Sequence, residues 1–231
     1  MAFLEISNFL LLQTSVPEVT TQEFSFWKIM FHGNLFANIV MVIILCLGVL
    51  SLYLFLERLF YINRQLKIND YNLMNNINDL LKNGKIESAV DYCERQNIPE
   101  ARILEKGVTR IGRPVSDIVS AMESQGQIEV SLLEKNLNIL AAIPSIAPML
   151  GLLGTVIGII MAFFNMSNAE GSYSPQVLSE GIYTALGHTA MGLAVAIPSN
   201  FFYNLLLTRI DKFVLKVQNL SSDFLDTINK P

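Results

Sequence analysis

Charge drops out of this chain in three long runs and returns between them in blocks of helical periodicity. The first run, "FANIVMVIILCLGVLSLYLFL" at 36–56, holds one strongly polar side chain, Asn38, and ends at Glu57 and Arg58. The second, at 137–166, has no charge between Lys135 and Glu170, although it contains Pro144 and Pro148 and is rich in glycine. The third opens as "EGIYTALGHTAMGLAVAIPSN" and extends over 180–206; after Glu180 it meets no formal charge until Arg209. At 1.5 Å per residue, about 20 residues cross a hydrocarbon layer of roughly 30 Å, so each run predicts a transmembrane helix. Proline and glycine are tolerated in such spans where neighbouring helices satisfy the freed backbone groups. The short polar loop at 167–179 makes the second and third spans an antiparallel hairpin.

The intervening block at 57–136 is made of charged, helix-forming segments. In "NDLLKNGKIESAVDYCERQ", Leu80, Leu81, Ile86, Val90 and Cys93 fall near helical spacing, with Gly84 as a break. "RIGRP" at 110–114 reads as a helix end and a turn, its arginines a solvated face, with a basic site for acidic lipid or a partner as the alternative. Ser116 is the expected N-cap of a long helix leading into the second span. Beyond the third span, Leu206, Ile210, Phe213, Val214, Val217, Leu220, Phe224 and Leu225 form an apolar stripe. This predicts one amphipathic helix to residue 228, over 207–231 in domain terms; counted from Gly181, it is roughly 70 Å long.

Composition agrees with a membrane protein: 52% of residues are hydrophobic, only 16% are charged, and mean hydropathy is +0.42. A soluble domain carries nearer a quarter charged residues. The expected class is therefore an all-α integral membrane protein with three transmembrane helices and a cytoplasmic helical domain. The net charge of −4 is small, and the basic residues form no stripe with aromatics between them, so nucleic acid is not an expected partner. Cys46 and Cys93 lie far apart, as do His32 and His188, and neither a metal nor another cofactor is expected. Segment 1–35 lacks a positive n-region and is interrupted by Glu5, so it reads as a retained segment, an interfacial helix on the periplasmic side. Of 16 Lys and Arg, only Lys28 precedes the first span and none lies in 167–179. The positive-inside rule then puts 57–136 and the C-terminus in the cytoplasm and the N-terminus outside. No P-loop, G-x-S-x-G or H-E-x-x-H pattern occurs, and no enzyme is expected.

The polar residues inside the spans are the candidates for function. On a helical projection of the third span, Gly181, Ala185, His188, Gly192, Ala196 and Ser199 form a small-residue stripe. Glu180, Thr184 and His188 follow one border of it, and Thr189 lies near the other. In the second span Ala147, Gly151, Gly158 and Ala162 recur at or near four-residue steps, with Gly154 beside them and Thr155 within the stripe. Small residues let membrane helices approach closely, and hydroxyls or an imidazole can serve simply as packing glue. Polar groups gathered on facing small-residue stripes also suit a narrow hydrated path for a proton or ion, and His188 is an ionisable group inside the span.

"APMLGLLGTVIGIIMAFFNMS" and "GIYTALGHTAMGLAVAIPSNFFYN" resemble the paired membrane segments of the MotA/TolQ/ExbB proton-channel family. The likeness extends through "ERLFYINRQ", "ARILEKGVTRIGRPVSDI" and "LEKNLNILAAIPSIAPMLG", covers the chain from about residue 26, and is nearest the ExbB branch of Bacteroidetes-like bacteria. It implies an inner-membrane, multi-pass ring subunit, typically of a homopentamer, whose second and third spans line a pore. Within that pore, single-span ExbD-like subunits would supply the proton-carrying aspartate. It further implies that the proton motive force is coupled to a TonB-like protein for transport across the outer membrane. Thr155 matches the threonine of the "GLLGTV" motif, and Thr189 the one before "AMGLAVAIP". The family often has a glutamate where this chain has Thr184, while Glu180 lies one turn nearer the outer face; His188 stands where another threonine is common. The implied pore-lining set is Thr155, Thr184, Thr189, Glu180 and His188, with Gly151, Gly154, Gly158 and Gly192 packing the helices. A TolQ-like or motility stator is the same-family alternative. A small solute transporter and a membrane scaffold are the alternatives of other classes.

Overall fold

Within a bilayer the backbone has no water to bond, so an apolar run satisfies its N–H and C=O groups by closing them into a helix. The computed structural model, which describes residues 35–66, 72–168 and 175–229, carries each apolar run on one continuous helix. In chain order the helices are α1 (Leu35–Leu66), α2 (Leu73–Lys82), α3 (Ile86–Gln96), α4 (Pro99–Val108), α5 (Val115–Glu134), α6 (Leu137–Ser167) and α7 (Pro175–Asn229). No strand occurs among the described residues. α1, α6 and α7 are each long and apolar enough to cross a membrane, so the all-α fold with three candidate spans holds. The expected interfacial helix, with Lys28 and His32, and the loop residues 169–174 lie outside the described residues.

Contacts along the spans fix their directions. Phe55 of α1 stacks on Phe202 of α7 with centroids 4.2 Å apart, Gly48 lies against Val195, and Arg209 donates to Asn63. Partners rise together in number, so α1 and α7 run parallel, while α6 runs antiparallel to α7. α7 has 55 residues, roughly 82 Å of helix and far more than a bilayer needs, and its C-terminal half packs into a second core with α4 and α5. There Leu206, Ile210, Phe213 and Phe224 are buried with Ile103, Leu104 and Val108 of α4 and Ile118 and Met122 of α5. The rest of the apolar stripe, Val214, Val217, Leu220 and Leu225, is half-buried. A Cβ at Gly107 would fall 2.7 Å from Met122 Sδ and 2.8 Å from Phe224 Cε1, so the missing side chain lets α4 reach both α5 and α7. Cys93 belongs to this core, and burial, with the Glu105 carboxylate, pushes its thiol up to about 12.

Three local expectations are corrected. Ser116 is not the N-cap: Pro114 is, at φ −53° and ψ 143°, and its carbonyl accepts from the Asp117 N–H at 2.9 Å. Proline presets the entry angle, so the helix starts at Val115 and leaves Ser116 in its first turn. Nor does that helix run on into the second span. Lys135 turns extended, and Asn136 adopts a left-handed φ of 64°, a conformation its short polar side chain tolerates. Ile86, at the first position of α3, is 41% exposed, and Ala89 takes the inner position one turn before Cys93. Gly84 and Gly112, at φ of +70° and +94°, make the expected breaks.

One ion pair ties α4 to α5. Arg102 Nε and Nη2 each donate to Glu129 at 2.7 Å, and Gln125 Nε2 adds a third bond at 2.8 Å. Burial pushes the Glu129 carboxyl up, but the bonds from Arg102 and Gln125 and the Arg102 charge outweigh it and hold the group below the usual carboxylate range. A depressed folded value adds stability above the ordinary carboxylate range, and that stability is lost as pH falls through the depressed one. Arg102→Met leaves a buried carboxylate without its counter-charge; with Arg102 itself partly exposed, we expect a loss of about 2–3 kcal/mol near neutral pH. Thermal unfolding of the detergent-purified chain should show this gap, and it should shrink below about pH 4. A gap independent of pH would assign the effect to packing.

Candidate functional site

α6 and α7 meet backbone to backbone. A Cβ at Gly192 would lie 2.6 Å from the Ala147 carbonyl oxygen, one at Gly151 2.7 Å from the His188 carbonyl oxygen, and one at Gly154 2.9 Å from His188 Cβ. Farther along, a Cβ at Gly158 or Gly181 would each come within 2.7 Å of the methyl of Ala185 or Ala162. The pairs run in opposite directions along the two helices, from Ala147 with Gly192 to Ala162 with Gly181, so the small residues set the antiparallel register. Lipid offers no hydrophobic drive for helix association, and close approach supplies dispersion and polar contacts in its place.

Within this seam Thr155 and Thr189 are brought together. Thr155 Oγ1 is hydrogen-bonded to Thr189 Oγ1 and lies 3.1 Å from the Gly151 carbonyl and 3.0 Å from that of Ala185. Thr189 Oγ1 lies 3.3 Å from the same Gly151 carbonyl. Two hydroxyl protons thus face two carbonyls and each other. Either Thr189 donates to Thr155 and Thr155 to Ala185, or Thr155 donates to Thr189 and Thr189 to Gly151. The pair is a short hydrogen-bond chain with two orientations. Thr155 is buried and Thr189 half-buried, so access to the pair from outside the chain is through Thr189.

The other three sequence candidates point elsewhere. Thr184 is buried and donates within its own helix, to the carbonyls of Glu180 at 2.9 Å or Gly181 at 3.1 Å. Glu180 is exposed, and its carboxylate makes no ion pair or hydrogen bond among the described residues. His188 is 1% exposed and faces α1: Nε2 lies 3.1 Å from the Ala37 carbonyl, while Nδ1 lies 2.8 Å from the Thr184 carbonyl. A neutral imidazole has one N–H and satisfies one of these acceptors; an imidazolium satisfies both. His188 therefore joins α7 to α1 instead of joining the threonine pair. Sequence reasoning missed the partners at Ala37, Ala147 and Ala185, because a backbone carbonyl leaves no signature in residue type. No group of residues suited to a metal occurs among the described residues.

Three membrane-length helices, two of them in backbone contact around bonded hydroxyls, define a multi-pass membrane protein with a polar seam. Residues 95–219 match the model of the MotA/TolQ/ExbB proton channel family, and the chain belongs to that family. An ExbB homolog of Methanothermobacter thermautotrophicus, named for biopolymer transport, is 31% identical over 183 residues, 78% of this chain and 64% of that protein. The chain thus spans a little under two thirds of that relative's length. The biopolymer transport protein ExbB of Aquifex aeolicus is 38% identical over 112 residues, 48% of this chain and 74% of its own. The Tol-Pal system protein TolQ of Haemophilus influenzae is 27% identical over 232 residues, 91% of this chain and 96% of that protein.

The seam makes a prediction of opposite signs at two helical glycines. Gly192→Ala drives a methyl into the Ala147 carbonyl, which cannot yield without parting the helices, and overpacking of this kind costs about 1–3 kcal/mol. Gly126→Ala on α5 meets only Ile103 Cδ1, at 4.0 Å, and gains up to about 1 kcal/mol from helix propensity. Melting temperatures in detergent should fall for the first variant and rise or hold for the second. A Gly192→Ala protein as stable as the parent would contradict the packing described.

Proposed function

We propose that this chain is an ExbB-like ring subunit of a proton-driven motor in a bacterial inner membrane. It works with single-span ExbD-like subunits and a TonB-like protein to energise transport across the outer membrane. The copies assemble as a homo-oligomer, a pentamer in this reading, with the N-terminus periplasmic and the soluble helices α2–α5 and the end of α7 cytoplasmic. The skewed distribution of Lys and Arg supports that orientation. Family membership supports the motor, and ExbB-named relatives support the branch. The TolQ relative matched over most of its length keeps an envelope-maintenance role as the second reading.

The observation that carries the mechanism is the Thr155–Thr189 hydroxyl pair in a seam with no fixed positive charge. In this reading Thr189 meets water and a partner helix, whose carboxylate carries the proton. The two hydroxyls stabilise the proton's arrival or departure by reversing the direction of the hydrogen bond between them. No lysine or arginine repels the passing charge. In the same reading Thr184 and His188 hold the geometry of α7, and the exposed Glu180 meets a neighbouring chain at the outer end.

Thr155→Val keeps the shape and removes the hydroxyl. Losing one such bond, worth roughly 1 kcal/mol, lowers proton-driven uptake about fivefold while ring assembly and partner retention stay at wild-type levels. Energised uptake in cells and the mass of the purified complex, measured together, check this. Unaltered uptake at normal assembly would remove Thr155 from the path.

A further inference from the structure

Just past the membrane-spanning parts of α1 and α7, a cavity of about 900 Å³ opens between these helices and the start of α4. Four cationic side chains line it: Arg64 from α1 and Arg209, Lys212 and Lys216 from α7. Opposite them stands one carboxylate, Glu100, which is buried and already accepts from Lys216 Nζ at 2.9 Å. Arg209 is engaged by Asn63. Arg64 and Lys212 are exposed, and neither makes an ion pair or hydrogen bond among the described residues. Like charges converging on one concave surface repel, and an anion seated among them relieves that repulsion.

Depth identifies the anion. Arg209 is the first charge after the apolar stretch of α7, and Arg64 lies seven residues, about 10 Å of helix, past the first charge of α1 at Glu57. The polar layer beyond the hydrocarbon is roughly 5–7 Å thick on each side, and long basic side chains reach back towards it. Phe60, on the cavity wall and 71% exposed, lies between those α1 charges and offers an apolar edge towards the acyl region. Basic pockets between membrane helices at this level suit anionic headgroups. We propose that the cavity binds the phosphodiester headgroup of an anionic phospholipid, with Arg64 and Lys212 as the uncommitted ligands. Free phosphate shares the charge chemistry but gains nothing from Phe60. The inference requires only that α1 and α7 cross the membrane, and it does not depend on the motor reading.

The test is native mass spectrometry of the full chain in neutral detergent, titrated with phosphatidylglycerol or phosphatidylcholine, against the Arg64→Gln/Lys212→Gln variant. Both positions are exposed, so matching melting curves verify the fold, and Lys212→Gln alone serves if the pair does not fold. Each basic side chain beside an anionic headgroup contributes about fivefold in affinity, so the double variant should bind phosphatidylglycerol about 25-fold more weakly. The parent should prefer phosphatidylglycerol to phosphatidylcholine and keep it in millimolar inorganic phosphate. Equal binding by parent and double variant, or equal binding of the two lipids, would overturn the proposal. Displacement by inorganic phosphate would assign the site to a free anion, and capture of an acidic protein in place of lipid would assign it to a partner chain; either result overturns it.

Discussion

At Gly192 the backbone of α7 rests against the Ala147 carbonyl of α6, and at Gly151 the backbone of α6 rests against that of His188. No other residue type fits these positions at that separation, and the rest of the membrane region follows from the contact. With the backbones so close, the hydroxyls at Thr155 and Thr189 reach across the seam to each other and to carbonyls of both helices. Bulky side chains are driven outward. Leu152, Ile160 and Phe164 on α6 and Leu186, Ile197 and Phe201 on α7 stay exposed, available to lipid or to other copies of the chain. A hydroxyl pair between larger residues would be too far apart to bond, so packing and candidate chemistry are two consequences of the same small-residue stripe.

His188 extends this arrangement to the third helix. Its ring fills the space over Gly154 and reaches the Ala37 carbonyl, so the residue that closes the α6–α7 seam also anchors α1. From there α1 and α7 descend in parallel through the Phe55–Phe202 stack to the basic cavity. α7 continues unbroken from the seam into a second core, where Phe213 and Phe224 are buried with residues of α4 and α5. α7 is thus one continuous element shared by the seam and by the close-packed core of α4 and α5.

The parts legible in the sequence were those written in side-chain periodicity. Three charge-free runs marked the spans, the stripe from Leu206 to Leu225 marked the long helix, and glycines at four-residue steps marked faces that meet in the structure. What escaped was whatever the backbone decides. The acceptor at Ala37 carries no residue signature, so the sequence left His188 open between a place on a proton path and a packing role, and only the structure shows its ring facing α1. Pro114 outcompeted Ser116 as helix start by fixing φ, and Asn136 broke a helix that looked continuous because it tolerates the left-handed region. The threonines could be placed on the right faces, but only coordinates separate Thr155 and Thr189, which bond to each other, from Thr184, which bonds to its own helix.

In the function proposed above, this chain is one subunit of a ring built around a partner helix. The most direct measurement is the mass of the detergent-purified complex, with this chain expressed alone and together with the single-span ExbD-like protein of the same organism. The expected result is a discrete ring of several copies that retains the partner when it is present. A monomer or dimer of unchanged mass in both preparations would contradict it and leave the hydroxyl pair as a feature of helix packing alone.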